Sequence, residues 1–163
     1  MIRTEGVVMR GSRTRLSLLL SLVLVACVGP AGREPDASWS EVEVEAPSQA
    51  VLFKLALLTV EGQGYPIGGG TDRGSGAIET GWRTNLQPFQ GAGYRLRAVL
   101  EIAPVEERRF RVRARVQRQV NESIVAPLDP TRAEWKWRED DVSRAQVLLQ
   151  HVRSALEGTQ TGP

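Results

Sequence analysis

One cysteine, Cys27, and one histidine, His151, bound the chemistry open to this chain. A lone cysteine forms no intrachain disulfide. A structural zinc site draws three or four Cys, His or carboxylate ligands together, so no metal is expected. His151 would act as a general base only beside a nucleophile, and no Gly-x-Ser-x-Gly elbow supplies one; it reads as a helix-surface or boundary residue. The glycine run Gly68–Gly76 lacks the Lys-Ser/Thr pair of a phosphate loop and no helix plainly starts there, so it reads as a hairpin loop. No catalytic residue and no cofactor is expected.

Two groups suited to binding remain. Arg95, Arg97, Arg111, Arg113 and Arg115 alternate with apolar residues, and would present a row of guanidinium groups to an anion or an acidic partner. The plainer reading is a solvated sheet face with Glu41, Glu43, Glu45, Glu79 and Glu101 as counter-charges. It is favoured by a general bias toward arginine, since of 21 basic residues only Lys54 and Lys136 are lysines. Trp135 and Trp137 stand two apart and share a face of any extended segment, either as interface anchors or as a cover over the end of the core. Trp82 is expected in the core. Asn121-Glu-Ser123 fits a glycosylation sequon and is taken as incidental.

Cys27 has a more specific context. Arg10, Arg13 and Arg15 precede an apolar run of about 11 residues, Leu16 to Ala26, the pattern of a secretory signal and well short of the roughly 20 residues of a membrane-spanning helix. Met9 is an alternative start that leaves a cleaner signal. Leu24-Val25-Ala26-Cys27 resembles the bacterial lipobox, in which the cysteine receives a diacylglycerol and becomes the first residue of the mature chain. That resemblance implies a lipid on Cys27 as the membrane anchor. Val28 in place of Asp resembles the enteric pattern for sorting to the outer membrane, with the domain in the periplasm. Removing residues 1–26 takes Lys plus Arg from 21 to 17 and Asp plus Glu from 19 to 18, a net side-chain charge of −1. The basic excess of a nucleic-acid binder is absent from the mature chain.

The elements that must position these residues follow from periodicity. Residues 27–39 form the lipidated cysteine and a Gly/Pro-containing flexible tether, residues 40–157 one domain, and residues 158–163 a polar tail. Glu41–Ala46 alternates strictly, with Val42 and Val44 inward. Ser48 caps a helix of about 12 residues from Gln49 toward Gly62, although the apolar run Val51–Leu58 also fits a buried strand. Tyr65–Ile67 is a candidate short strand. Ala77–Arg83 is a strand with Ile78, Thr80 and Trp82 on one face. Tyr94–Ile102 and Phe110–Val120 form the strongest hairpin, turning through Pro104–Glu107, with Ile102 opposite Phe110 and Arg97 opposite Arg115. Residues 121–139 are expected as an extended connection. Asp140 or Asp141 then caps a helix, Val142–Leu156, whose stripe is Val142, Ala145, Leu149, Val152 and Leu156 and which stops at Gly158. The order β-α-β-β-β-α predicts an α+β, two-layer domain with both helices on one face of an antiparallel sheet.

From the first strand through Pro-Ser, an apolar helix, Gly-Tyr-Pro-Ile and Gly76-Ala-Ile-Glu-Thr-Gly-Trp-Arg83 to the Arg-rich hairpin, roughly residues 41–120, the chain resembles the N-terminal domain of the BamC lipoproteins. Those are accessory parts of the outer-membrane barrel assembly machinery. Two departures limit the carry-over: BamC proteins have a long unstructured segment and two globular domains, where this chain has a short tether and one. The resemblance implies a non-enzymatic accessory role in outer-membrane protein assembly or envelope maintenance, with envelope assembly proteins as partners. The alternative is a lipid- or lipopolysaccharide-handling lipoprotein whose arginines meet anionic lipid.

Overall fold

The computed structural model describes residues 32–86 and 92–160. The expected export signal, Cys27, residues 28–31 of the expected tether, residues 87–91 and residues 161–163 lie outside the described residues. In chain order the elements are β1 (Ser40–Glu45), α1 (Gln49–Gly62), β2 (Ala77–Glu79), β3 (Arg83–Asn85), β4 (Tyr94–Glu106), β5 (Arg109–Asn121), a 3-10 turn (Pro130–Arg132), β6 (Trp135–Arg138) and α2 (Val142–Gln160). The fold is α+β, with one antiparallel sheet and two helices that pack on each other and on β1, β4 and β5.

The long hairpin of β4 and β5 is the spine of the sheet. β1 pairs with residues 109–114 of β5 and β6 with residues 118–121, so the two short strands share one edge. β2 and β3 share the opposite edge along β4. Alternation sets the two faces of the spine. Leu96, Ala98, Leu100 and Ile102 of β4 and Phe110, Val112, Ala114 and Val116 of β5 are buried in one core with Leu52, Phe53, Ala56 and Val60 of α1 and Ala145, Leu148, Leu149, Val152 and Leu156 of α2.

The ambiguous run at Val51 is helical. Ser48 is extended (φ −162°, ψ 160°) and its hydroxyl accepts the Val51 N–H at 3.3 Å, the N-cap expected from sequence. The helix ends at Gly62, where it was expected to. Gly64, at φ 80°, donates to Glu61 O, and Tyr65 donates to Val60 O, which is the Schellman closure that a left-handed glycine allows. It delivers Tyr65 into the core at 5% exposure.

Four expectations are corrected. The hairpin register is displaced by two residues, with Ile102 opposite Val112, Glu101 opposite Arg113 and Arg97 opposite Gln117. The turn sits at Glu107-Arg108, with Arg108 at φ 62° and a bulge between Pro104 and Glu106. A two-residue displacement preserves which residues face inward, so the faces were read correctly from the wrong pairing, and the repulsive Arg97–Arg115 pair does not occur. Second, residues 121–139 are not simply a connection, because Trp135–Arg138 forms a strand on β5. Third, α2 continues through Gly158, Val142 is 41% exposed, and Leu148 completes the buried stripe; Asp141 caps the helix by accepting the Arg144 N–H at 3.0 Å.

The fourth concerns Trp82. Glu79 pairs with Val99, but Arg83 pairs with Leu96, so the β2–β3 edge holds one more residue than β4 across this stretch. Thr80 sits at the extra residue: its N–H donates to Ala98 O, its hydroxyl accepts the Ala98 N–H at 2.9 Å, and Gly81 N–H turns away to Pro66 O. A single extra residue exchanges the faces. Arg83 goes to the helix side, where its guanidinium lies 5.0 Å from the Tyr65 ring and donates to Gln63 O at 2.6 Å. Trp82 goes to the far side.

Candidate functional site on the far face of the sheet

The face turned away from the helices carries the arginines and tryptophans singled out from the sequence, and the structure brings most of them together. Trp82 from the β2–β3 bulge and Trp137 from β6 meet with ring centroids 5.7 Å apart, tilted by 58°. The Arg95 guanidinium lies between Trp82, at 4.5 Å, and Trp135, at 4.6 Å, and donates to Gln119 Oε1 at 2.7 Å. Arg97 lies 5.0 Å from the Trp82 ring, donates to Gln117 Oε1 at 2.6 Å and pairs with Glu79 at 2.6 Å. Trp135 and Trp137 do share a face, as their spacing requires, and it is this one.

The five arginines are not equivalent. Arg111 pairs with Glu43 at 3.0 Å and Arg113 with Glu101 at 3.4 Å, both a little under half exposed. Arg113 also stacks on Trp39 at 4.6 Å. Arg115 is buried and engages Asp140 through two bonds, Nε to Oδ2 at 2.9 Å and a terminal nitrogen to Oδ1 at 3.2 Å. Among the described residues only Arg95 of the five meets no carboxylate. Burial, and after it the Arg97 cation, lowers the Arg95 guanidinium from its ordinary value; an arginine starts so high that it stays charged. Its positive charge is answered by ring faces and an amide, an arrangement worth about 0.5–2 kcal/mol depending on desolvation.

Residues 32–39, expected as flexible tether, have no regular secondary structure but lie against this face. Glu34 accepts from Arg115 at 2.9 Å and from the Gln117 amide. The Ser38 N–H donates to Asp140 Oδ2 at 2.9 Å, and an added Cβ on Gly32 would stand 3.8 Å from the Trp137 nitrogen. Arg115 and Asp140, with 11% and 1% of their side chains exposed, thus join the arm, β5 and the start of α2 in one network. Asn121 is likewise buried: its amide donates to Pro127 O and its oxygen accepts the Ser123 and Glu134 N–H groups. The sequon asparagine is a loop clamp.

Two parts of this arrangement were missed from sequence. Trp39, beside Arg113, carried no periodic signal because it ends an irregular segment. Arg83, Tyr65, Arg144 and Asp141 line a cleft of about 370 Å³ between the end of α1 and the start of α2. Only the bulge puts Arg83 there, and the Thr-Gly pair before Trp82 was its one sequence signal. Burial raises the Tyr65 hydroxyl above its ordinary value, with Arg83 acting in the opposite sense. His151 is exposed on α2. The chain matches no protein-family profile and no curated protein sequence.

Proposed function

We propose that this chain is a lipoprotein held at the periplasmic face of the outer membrane through a lipid on Cys27, and that its domain is a non-enzymatic binding component in outer-membrane protein assembly or envelope maintenance. The observation that carries the binding reading is Arg95 stacked between Trp82 and Trp135. Half-buried aromatic rings around a partly buried cation without a carboxylate are the residue types that dominate protein interfaces. Arg95 and Trp135 stand on strands and Trp82 on the bulge between β2 and β3, so the patch is pre-organised. The lipid-phosphate alternative draws less support from the same face, because Arg97, Arg111, Arg113 and Arg115 already hold carboxylates.

The test is crosslinking in cells with a C-terminally tagged chain, followed by mass spectrometry of what co-purifies. Recovery of barrel-assembly subunits by the wild type, lost in Arg95→Glu and Trp135→Ala and kept in Arg111→Ala, is the expected result. Recovery that ignores Arg95 and Trp135 overturns the patch. Recovery of lipid-transport proteins instead supports the alternative.

A further inference from the structure

The loop between β5 and β6 exposes its apolar residues while its backbone is held firmly. Ile124 is 93% exposed, Val125 83% and Leu128 51%. Single exposed apolar residues are ordinary, but three within five positions on a loop braced from inside are a different matter. Asn121 grips Ser123, Pro127 and Glu134. Ser123 Oγ accepts the Ala126 N–H at 3.3 Å, and Asp129 closes the far end on Thr131 N–H and Oγ1. Those polar groups stabilise a conformation in which Ile124 and Val125 pack against nothing among the described residues.

We infer that this loop inserts Ile124, Val125 and Leu128 into the interfacial region of the bilayer that carries the Cys27 lipid, fixing how the domain stands on the membrane. The inference rests on the lipoprotein reading above. Its second support is where the described chain begins. Gly32 lies against Lys136 and Trp137 of β6, the strand that the loop feeds, and about 7 Å along that strand separates Trp137 from Trp135 at the loop's base. Four residues separate Gly32 from Cys27, and the five steps between them span at most about 18 Å. The anchor and the apolar loop therefore reach one membrane plane from one end of the sheet. The charges in and beside the loop are mixed: Glu122 pairs with Arg138, and the segment from Asp129 to Lys136 holds Asp129 and Glu134 with Arg132 and Lys136. Insertion is accordingly apolar, and insensitive to the charge of the lipid.

The test uses the full mature chain purified from membranes with Val125→Cys, labelled with an environment-sensitive fluorophore and reconstituted into phosphatidylcholine vesicles, with and without phosphatidylglycerol. A lipidated Cys27 sulfur is a thioether, so one label per chain is expected. The probe at 125 should shift to the blue and be quenched by nitroxide-bearing lipid equally in both vesicles, while the same label at Arg153→Cys on α2 stays water-like. Adding Ile124→Asp should reduce the membrane-facing population about tenfold or more, the scale of losing one buried aliphatic side chain. One label, flotation with the vesicles and a water-like probe at 125 overturn the insertion alone. A shift seen only when solubilised envelope proteins are added overturns it in favour of a protein partner. Two labels per chain with no flotation overturn the lipoprotein reading and the insertion with it.

Discussion

The two faces of the β4–β5 spine are built from alternate residues of the same thirteen-residue strands, yet they are ordered by different physics. Toward the helices stand Leu100, Ile102, Val112 and Val116, whose positions are fixed by the loss of apolar surface to water. Toward the far side stand Arg95, Arg97, Arg115, Gln117 and Gln119, and several of these are as deeply buried as the core. Gln117 is 3% and Gln119 5% exposed. Apolar burial is undirected and tolerates a neighbour of almost any shape. The far face instead needs specific acceptors in place, and it draws them from Glu34, Glu79, Asp140 and three tryptophans scattered along the chain. Among the described residues no buried side-chain nitrogen or oxygen is without a partner, so this polar face is a completed network.

The far face is most vulnerable at Asp140. Asp140→Ala leaves Arg115 buried without its bidentate partner and also frees the Ser38 N–H. Breaking a buried pair costs about 3–5 kcal/mol, as much as a large cavity in the helix-side core, and Glu34, which still meets Arg115 at 2.9 Å, puts the loss at the lower end of that range. Denaturant unfolding followed by tryptophan fluorescence should show it. The double variant Arg115→Met with Asp140→Leu should recover much of the loss, since removing both charges removes the uncompensated one. If Asp140→Ala costs no more than an exposed pair, the far face is not a second core.

Thr80 ranks next, because the exchange of faces depends on it. Thr80→Val keeps the shape but removes the oxygen that accepts the Ala98 N–H at 2.9 Å. A buried donor left unmade costs about 1–3 kcal/mol, and amide hydrogen exchange should place the loosened protection at Ala98. A variant that relaxes toward a continuous strand would also turn Trp82 inward, and the fluorescence of the Trp82–Trp137 pair would report it.

The contrast between the faces also decides what could be read from the residues alone. The α+β class, the helix at Gln49, the cap at Ser48 and every inward position of the hairpin were legible, because each depends on local period and residue type. The register was not: displacing it by two leaves the hydrophobic pattern unchanged, and the Gln117 and Gln119 partners that set it are polar. Trp82 was misplaced because alternation assumes an unbroken strand, and one inserted residue reverses every position after it. β6 was invisible since four residues, two of them Lys136 and Arg138, carry too short a period to stand out. Of the candidate site, the residue types Arg95, Trp135 and Trp137 were legible, while their meeting with Trp82 was not.

The smallest effect should come from the arginines that looked most conspicuous in sequence. Arg111 meets Glu43 at 3.0 Å with both side chains 45% exposed, and exposed pairs of this kind contribute about 0–1 kcal/mol. A double-mutant cycle of Arg111→Ala and Glu43→Ala should give a coupling energy in that range, falling further as salt screens it. The physical point lies in the position along the strand. Arg111 and Arg115 are four residues apart on one face of β5 and share their intrinsic chemistry, with Ala103 and Val99 of β4 opposite them, although β1 pairs beside Arg111 and ends before Arg115. What separates them is the arm over Arg115, whose Glu34 and Ser38 exclude water from the Asp140 pair, while nothing described lies over Arg111. If the Arg111–Glu43 coupling equals that of Arg115–Asp140, the arm contributes no dielectric shielding, and its contacts with the sheet follow from the fold without supporting it.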